Sequence, residues 1–281
     1  MADISRLRPL IIQVAPTGMI PQKSDNPSVP ITPEEIALNV TRCYALGASV
    51  VHVHARYHDG KPAFEREIYQ DIFERIRENC PGIIICASTS GREFSDVGKR
   101  SQVLELRPEM ATLSMGSVNF VTNPSSNPLE TIRELAGMMK ERGIKPELEI
   151  FEPGFINTAL YLVKEGILKP PLHFNLLLGS LGSIPAGVKD LVYLVESIPA
   201  GNTWSATGIG RYQIGINTLA IVSGGHVRVG LEDAIYHHHA TREHATNEKL
   251  VSRIARIAEE VGRKVATPGE AREILKLDPW P

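Results

Sequence analysis

Short runs of β-branched and other apolar residues alternate along this chain with longer segments that have helical spacing. Eight such pairs can be counted, and no linker rich in Pro, Gly or Ser separates them. A helical crossover forces the strands on either side of it to pair in parallel, and eight such units close into a barrel. The alternation therefore predicts an α/β protein, a (β/α)₈ TIM barrel in which residues 1–281 form a single domain.

Capping signals mark several of the predicted helices. Thr32 is an N-cap, Pro33 occupies the first helical position, Glu35 completes a capping box, and Gly47 follows the helix end. The predicted strands are Leu10–Val14, Ser49–His54, Gly82–Ala87, Met110–Ser114, Lys145–Ile150, Leu172–Leu178, Thr203–Ala206 and His226–Gly230. The predicted helices are Thr32–Leu46, Glu65–Asn79, Lys99–Glu105, Pro128–Arg142, Phe155–Glu165, Gly187–Ser197, Gln213–Ser223, Asn247–Val261 and Pro268–Leu275.

A doubly wound open sheet is the main alternative fold. Such a sheet usually has a GxGxxG turn after its first strand. The corresponding segment here, Pro16-Thr17-Gly18-Met19, lacks that pattern. The sequence therefore favours the barrel.

The amino-acid composition limits which binding partners and which cellular compartment are expected for this chain. The formal net charge of −2 gives no electrostatic reason to expect nucleic acid or an anionic membrane. Three cysteines without CxxC spacing suit a reducing cytoplasm, where they are expected to be buried core thiols. No segment has the layout of a signal peptide or the apolar length of a membrane span. We expect a soluble cytoplasmic protein that binds small molecules.

The second predicted strand ends in His52-Val53-His54. Residues two apart on a strand point to the same side, so both imidazoles are expected at the barrel mouth, where chemistry gathers in this fold. Two histidines, a carboxylate and an open position form a typical catalytic zinc site. Glu232, just past the eighth strand, is the predicted third ligand, because barrel closure brings that strand near the second. The alternatives are a hydrogen-bonded core histidine and an ordinary surface glutamate.

Arg228 and Asp233 flank this glutamate. An arginine at a barrel mouth can hold a substrate carboxylate with two parallel N–H groups. Asp233 is a candidate general base, with a pKa set by the neighbouring arginine and metal. The spacing leaves open a purely structural ion pair between the two residues.

Other strand ends also carry polar residues. Ser88 follows the third strand, Thr112 lies in the fourth, and Glu149 ends the fifth. Each of these side chains either lines the pocket or satisfies backbone groups near a turn.

Two glycine-rich loops follow the sixth and seventh strands. The first begins at Gly179, and the second contains Gly208, Gly210 and Arg211. Barrels often bind phosphate with the loops after their late strands, so these loops are predicted to bind a phosphorylated cofactor.

A run of three histidines, His237-His238-His239, has a different interpretation. Consecutive side chains point in different directions, which makes a poor site for one metal ion. We predict a solvated loop.

Several motifs together resemble the β-keto acid cleavage enzyme family, and the resemblance runs nearly end to end. The motifs are Pro30-Ile31-Thr32-Pro33-Glu34-Glu35, His52-Val53-His54, Ala87-Ser88-Thr89, Pro108-Glu109-Met110-Ala111-Thr112-Leu113, Gly208-Ile209-Gly210-Arg211, Gly224-Gly225-His226-Val227-Arg228-Val229-Gly230-Leu231-Glu232-Asp233, Leu250–Ile257 and Ala266-Thr267-Pro268.

The resemblance implies a zinc-dependent barrel, typically a homotetramer. Such an enzyme condenses a β-keto acid with acetyl-CoA and releases acetoacetate and a new acyl-CoA. The implied roles are zinc binding by His52, His54 and Glu232, carboxylate binding by Ser88 and Arg228, proton transfer by Asp233 with Glu149, and a place in the pocket wall for Thr112.

One position departs from the family members that act on an aminohexanoate. After the first strand those members have a glutamate that meets the amino group, whereas the matching position here is Ile20. An apolar side chain cannot pair with an ammonium group. We therefore expect a substrate with an uncharged, hydroxylated or anionic arm.

Two other functions remain open at this point. Metal-dependent hydrolases of the amidohydrolase type also use His-x-His on a barrel, although their pair normally follows the first strand. A non-catalytic ligand-binding barrel is the second, because fold alone does not assign function. The ligand set favours zinc without excluding another divalent ion.

Overall fold

Eight parallel strands close into a barrel in this computed structural model, which describes residues 4–278. Every barrel strand pairs with its neighbours in sequence, and the last pairs with the first. The predicted (β/α)₈ barrel is therefore confirmed, and the doubly wound sheet was the wrong alternative. The barrel strands are β1 (Ile12–Val14), β2 (Val50–Val53), β3 (Ile84–Ala87), β4 (Met110–Ser114), β5 (Lys145–Ile150), β6 (His173–Leu178), β7 (Thr203–Gly208) and β8 (His226–Val229).

Helices surround the barrel and connect its strands. The capping box predicted at the first helix is present, because the Thr32 hydroxyl accepts from the Glu35 N–H and the Glu35 carboxylate accepts from the Thr32 N–H. The helices are α1 (Pro33–Ala45), α2 (Arg66–Asn79), α3 (Val97–Ser101), α4 (Leu129–Arg142), α5 (Pro153–Lys164), α6 (Val188–Ser197), α7 (Gln213–Val222), α8 (Asn247–Glu260) and α9 (Pro268–Leu275).

The third helix differs from the prediction of Lys99–Glu105. It begins earlier, because the Asp96 carboxylate accepts from the Lys99 N–H at 2.9 Å and caps the helix. After Ser101 the chain continues as a 3₁₀ turn at Gln102–Leu106.

Two short hairpins lie outside the barrel and were not predicted. The first pairs Ala55–Arg56 with Pro62–Ala63 directly after β2. The second pairs Tyr236–His238 with Glu243–His244 after β8. Both belong to loops at the carboxyl ends of the strands, where a barrel places its functional residues.

The amino-terminal end of the barrel is closed by α9. Ile11, Val50 and Ile84 form one apolar cluster with Ala271 and Leu275 of this helix. Burial of this cluster stabilises the closed end through the hydrophobic effect. The helix therefore covers the end of the barrel opposite the carboxyl ends of the strands.

Within residues 4–278, no helix is both long enough and apolar enough to cross a bilayer. Cys43, Cys80 and Cys86 are buried free thiols, as the sequence predicted.

Candidate active site

His52, His54 and Glu232 lie together at the carboxyl ends of β2 and β8. The Nε2 atom of His52 is 3.6 Å from Oε2 of Glu232, and Nε2 of His54 is 3.4 Å from Oε1. The ligand atoms of all three residues lie within 4.8 Å of one another. Their arrangement suits a single ion held between two imidazoles and a carboxylate.

The donor set fits zinc. Two ligands of a tetrahedral zinc ion, each about 2.0–2.1 Å from the metal, are separated by about 3.3–3.4 Å, close to the separations found here. Oε2 of Glu232 is buried without a hydrogen-bond partner, which leaves a lone pair for a metal. Burial raises the pKa of Glu232, but Arg228 and the two histidines hold it well below its usual range. Burial also lowers the pKa of His52, which keeps its imidazole neutral.

The loop after β1 packs directly against Glu232. Gly18 has a φ of +63°, and a Cβ there would lie 2.4 Å from Cγ of Glu232. Buried Arg56 fixes this loop by donating to the carbonyls of Gly18 at 2.7 Å and Pro21 at 3.1 Å. Sequence reasoning missed Arg56, because its partners are backbone atoms of a distant loop that no periodicity marks.

Arg228 links the carboxylates around the site. Its Nε and Nη2 atoms donate to the two oxygens of Asp233, each at 2.9 Å. Nη2 also donates to Oε1 of Glu232 at 2.7 Å. Nη1 is buried, has no hydrogen-bond partner, and lies 3.6 Å from Oε1 of Glu149. The guanidinium therefore holds two carboxylates and keeps one donor group available.

Glu149 closes the polar side of the site. Its Oε2 atom accepts a hydrogen bond from Ser114 at 2.5 Å. Burial raises the pKa of Glu149, while the nearby charge of Arg228 lowers it. Burial likewise raises the pKa of Asp233 against the charge of Arg228. Two buried carboxyl groups close to one cation are suited to proton transfer.

A cavity of about 440 Å³ opens above these groups, which is within the size range of small-molecule sites. One side is polar, and the other is an apolar wall that includes Phe120, Phe151 and Leu177. The predicted site residues that line the cavity are Ile20, His54, Ser88, Glu149, Gly179, Arg228, Glu232 and Asp233.

Thr112 occupies a different place from these lining residues. Its hydroxyl oxygen accepts from the Thr89 N–H at 3.2 Å, and its carbonyl accepts from the Thr89 hydroxyl at 2.6 Å. Thr112 therefore fixes the start of the loop that carries Ser88.

The loop after β7 adjoins the site, and its Ile209 lines the cavity. Gly210 donates its N–H to the carbonyl of Asp233 at 2.7 Å. At Gly208 a Cβ would lie 2.4 Å from the carbonyl oxygen of Tyr212. Arg211 stacks on the ring of Tyr212, with 4.8 Å between the guanidinium carbon and the ring centroid. Of the predicted cofactor residues, Gly210 therefore contacts Asp233 directly, and Gly179 lines the cavity.

A second polar layer lies beneath the candidate metal ligands, inside the barrel. Burial raises the pKa of Glu147 to about 7, and Asn175 donates to its Oε1 atom at 3.3 Å. His52, Cys86 and Glu147 also bring ligand atoms within 4.8 Å of one another. Burial raises the pKa of Cys86 well above its usual range, so the thiol stays protonated and is a poor metal ligand.

The histidine run lies on the second hairpin. A register shift between Tyr236 and His238 brings the rings of His237 and His238 to 4.5 Å between centroids. Glu243 lies close to both, but its Oε1 atom is 3.0 Å from Nζ of Lys249. The run was predicted as a solvated loop, but it begins in a hairpin strand, where the side chain of His238 is 60% exposed and that of His237 is 14% exposed.

Sequence reasoning also missed Arg92. Its side chain lines the cavity and stacks on Phe120, with 4.3 Å between the guanidinium carbon and the ring centroid. The preceding Ser88-Thr89-Ser90-Gly91 segment was the available signal, but it did not indicate where a loop side chain would point.

A closed barrel with a His–His–Glu cluster and a buried arginine at the carboxyl ends of its strands has the architecture of a barrel enzyme. The family model described as beta-keto acid cleavage enzyme matches residues 9–277. The chain therefore belongs to the β-keto acid cleavage enzyme family, as the resemblance in the sequence indicated.

Curated relatives cover nearly the whole chain. It is 44% identical over 269 residues to the 3-keto-5-aminohexanoate cleavage enzyme of Fusobacterium nucleatum, covering 95% of this chain and 98% of the relative. It is 39% identical over 274 residues to the 3-oxoadipate:acetyl-CoA acetyltransferase of Cupriavidus necator, covering 96% and 95% respectively.

A solved apo structure of ObcA has the same fold. The TM-score is 0.78 at 21% sequence identity, covering 89% of this chain and 66% of that one. At this identity the likeness concerns the fold alone.

Proposed function

We propose that this chain is a zinc-dependent acyltransferase that exchanges acyl groups between a β-keto acid and acetyl-CoA. The products are acetoacetate and a new acyl-CoA. The observation that carries the proposal is the Arg228 guanidinium, which holds Asp233 and Glu232 and keeps a free buried donor at Nη1. Family membership and the acetyl-CoA named for the Cupriavidus relative support the same reaction.

Arg228 and Ser88 bind the carboxylate of the β-keto acid in this proposal. Nη1 supplies the charged donor, and the Ser88 hydroxyl lines the same cavity. Nη1 is a buried N–H donor without a hydrogen-bond partner, and a substrate carboxylate that accepts from it would satisfy this donor. This contact fixes the keto acid with its C2 carbon next to the acidic residues.

Zinc on His52, His54 and Glu232 would supply Lewis acidity at the β-keto oxygen and so make the C2 protons more acidic. Asp233 is the base that removes a C2 proton, and Arg228 keeps both of its oxygens oriented. Glu149, held by Ser114, serves the later proton transfers.

The resulting carbon nucleophile attacks the acetyl thioester, CoA passes to the former keto carbon, and carbon–carbon cleavage releases acetoacetate. The apolar wall around Phe120, Phe151 and Leu177 excludes water that would hydrolyse the thioester. The loops at Gly179 and at Gly208, Gly210 and Arg211 bind CoA in this proposal, because Gly179 lines the cavity and Gly210 donates to the carbonyl of Asp233.

The substrate is not amino-substituted in this proposal. Ile20 lines the cavity, and an aliphatic side chain gives an ammonium group no partner. The homotetramer implied by the family resemblance and the cytoplasmic location expected from the composition are further parts of the proposal. Light scattering coupled to gel filtration tests the first, and fractionation of the source cells tests the second.

A metal-dependent turnover screen tests the reaction. Native and chelator-treated protein are each given a panel of β-keto acids with acetyl-CoA, and acetoacetate is measured. Acetoacetate formation that requires both the thioester and the metal supports the proposal. Hydrolysis of a substrate without CoA would contradict it and favour a metal-dependent hydrolase.

A further inference from the structure

Arg92 is a second guanidinium on the wall of the cavity, in the loop after β3. Its Nη2 atom donates to the hydroxyl of Thr122 at 3.0 Å, and its face lies on the Phe120 ring at 4.3 Å. Cation–π stacking leaves the in-plane N–H groups available. Two contacts from one neighbouring loop therefore hold this cation in place at the cavity.

In the described part of the chain no acidic side chain forms a direct ion pair with this cation, although the charges of Glu93 and Glu232 act on it from a distance. Among residues 4–278, no carboxylate oxygen lies within 4.0 Å of the Arg92 guanidinium, and its Nε atom is buried without a hydrogen-bond partner. The neighbouring Glu93 carboxylate instead accepts from Asn123 at 3.2 Å. Arginine stays protonated at neutral pH. A partly buried charge with an unused donor is suited to an anionic ligand.

The acidic residues of the cavity have other partners. Asp233 and Glu232 accept from Arg228, and Glu149 accepts from Ser114. A carboxylate that accepts directly from Arg92 would therefore come with a ligand.

The two cavity arginines belong to strands that are apart in the barrel. Arg228 lies in β8 and Arg92 follows β3, and β1 and β2 separate these strands around the rim. The two guanidiniums therefore line the same cavity from different parts of its rim.

We propose that Arg92 forms a subsite for a second carboxylate, so that the substrate is a dicarboxylic β-keto acid held at one end by Arg228 and at the other by Arg92. This inference rests on the proposed function, because it assigns the first carboxylate to Arg228. The sequence excluded only a positive charge on the side arm of the substrate, whereas this inference assigns a negative charge to it. A planar guanidinium suits this role, since it can bind a carboxylate through two parallel N–H groups.

The test compares two β-keto acids of equal length, one ending in a carboxylate and the other in its methyl ester. Wild-type protein should favour the dicarboxylate. Arg92→Gln and Arg92→Ala should lower kcat/KM for the dicarboxylate about 10- to 100-fold, as expected for a lost hydrogen bond to a charged group, and should leave the ester unchanged. The KM for acetyl-CoA should stay the same. Lys189→Ala, on the exposed surface of α6, is the control for a general loss of positive charge.

An equal loss for both keto acids, together with a raised KM for acetyl-CoA, would overturn the proposal and assign Arg92 to a phosphate of CoA. Unchanged discrimination would also overturn it. Calorimetric binding of the dicarboxylate to zinc-loaded protein provides a readout that needs no turnover. Weaker binding to Arg92→Gln than to wild type would support the subsite even if the proposed reaction failed. Gln is the variant of choice if Ala disturbs the loop, because Gln keeps a long polar side chain that can donate hydrogen bonds without the charge.

Discussion

Arg228 and Asp233 are joined by two parallel hydrogen bonds, from Nε to Oδ2 and from Nη2 to Oδ1, each 2.9 Å long. Both side chains are buried, so the pair is shielded from competing water. The fork orients Asp233, and the remaining guanidinium nitrogen, Nη1, keeps an unused donor. One side chain thereby serves the base and the substrate anion of the proposed reaction.

Replacing Arg228 with Lys should remove this arrangement while keeping the charge. An ammonium group cannot form two parallel bonds to Asp233 and also reach Glu232. We expect kcat/KM for the keto acid to fall by about 100- to 1,000-fold at saturating zinc, as for the loss of an oriented donor in other active sites. Steady-state kinetics measure the change. The control is Arg42→Lys at an exposed ion pair with Glu248, which should keep full activity. Equal activity of both variants would contradict the proposed role.

Zinc retention should depend on His54 and be independent of the surface histidines. His54→Ala removes one of the three proposed ligands, so zinc should be lost during dialysis against a weak chelator, and turnover should be lost with it. His238→Ala is the matched control, because this histidine lies on the exposed hairpin and is 60% exposed. It should keep one zinc ion per chain and full activity. Elemental analysis after dialysis distinguishes the two, and the opposite pattern would place the metal on the hairpin.

The fold could be predicted from the sequence because its signals are periodic and local. Alternating strand and helix patterns and the cap at Thr32 each depend on residues within one element. His52 and His54 could be singled out for the same reason, since strand alternation relates residues two apart. The short α3 shows where local signals compete, because a cap at Asp96 moved its start.

How far along the barrel axis an inward-facing side chain lies was less predictable. Met110, Thr112 and Ser114 share one face of β4, and alternation does not say which of them reaches the cavity. Ser114 lines it and bonds Glu149, whereas Thr112 bonds Thr89. The position of a residue along an inward-facing row depends on the stagger of all eight strands.

The side-chain contacts between loops were the least predictable part of the site. Arg92 meets Phe120 and Thr122 of another loop, and no spacing in the sequence relates these residues. Arg56 is a similar case, because its acceptors are carbonyls of the loop after β1. Such contacts follow from the tertiary arrangement of the strand ends and have no local pattern of their own.

Gly230 should be essential for positioning Glu232. A Cβ at this position would lie 2.0 Å from the carbonyl oxygen of Ala15, and the same oxygen accepts from the Glu232 N–H at 3.2 Å. Gly230→Ala must therefore displace the backbone that places the metal ligand. We expect a loss of about 2–4 kcal/mol in stability, a fall of about 5–10 °C in Tm, and weaker zinc binding.

The matched control is Gly137→Ala in α4, where an added Cβ has no neighbour within 4 Å. Alanine has the higher helix propensity, so this variant should be unchanged or more stable by up to about 1 kcal/mol. Thermal unfolding of both zinc-loaded variants measures the difference. A Gly230→Ala protein with wild-type Tm and zinc content would show that the strand can move away without cost.

Stability should fall in mild acid because His226 is buried and neutral. Its Nδ1 atom accepts from the Ile11 N–H at 3.0 Å, and protonation would remove this acceptor. Burial, with His173, Arg263 and Arg8 nearby, holds the pKa of His226 well below 6.5. Below pH 6.5 the unfolded chain binds a proton at this residue and the folded chain does not, so stability decreases as the pH falls.

The variant His226→Asn keeps a hydrogen-bond acceptor but does not titrate in this range. Between pH 8 and pH 5 its free energy of unfolding should therefore decrease less than that of wild type, and the two decreases should differ by about 1–2 kcal/mol. Denaturant unfolding at both pH values measures this difference, and exposed His58→Asn, which should follow the wild-type decrease, is the control. Identical decreases for wild type and His226→Asn would show that other groups cause the acid sensitivity.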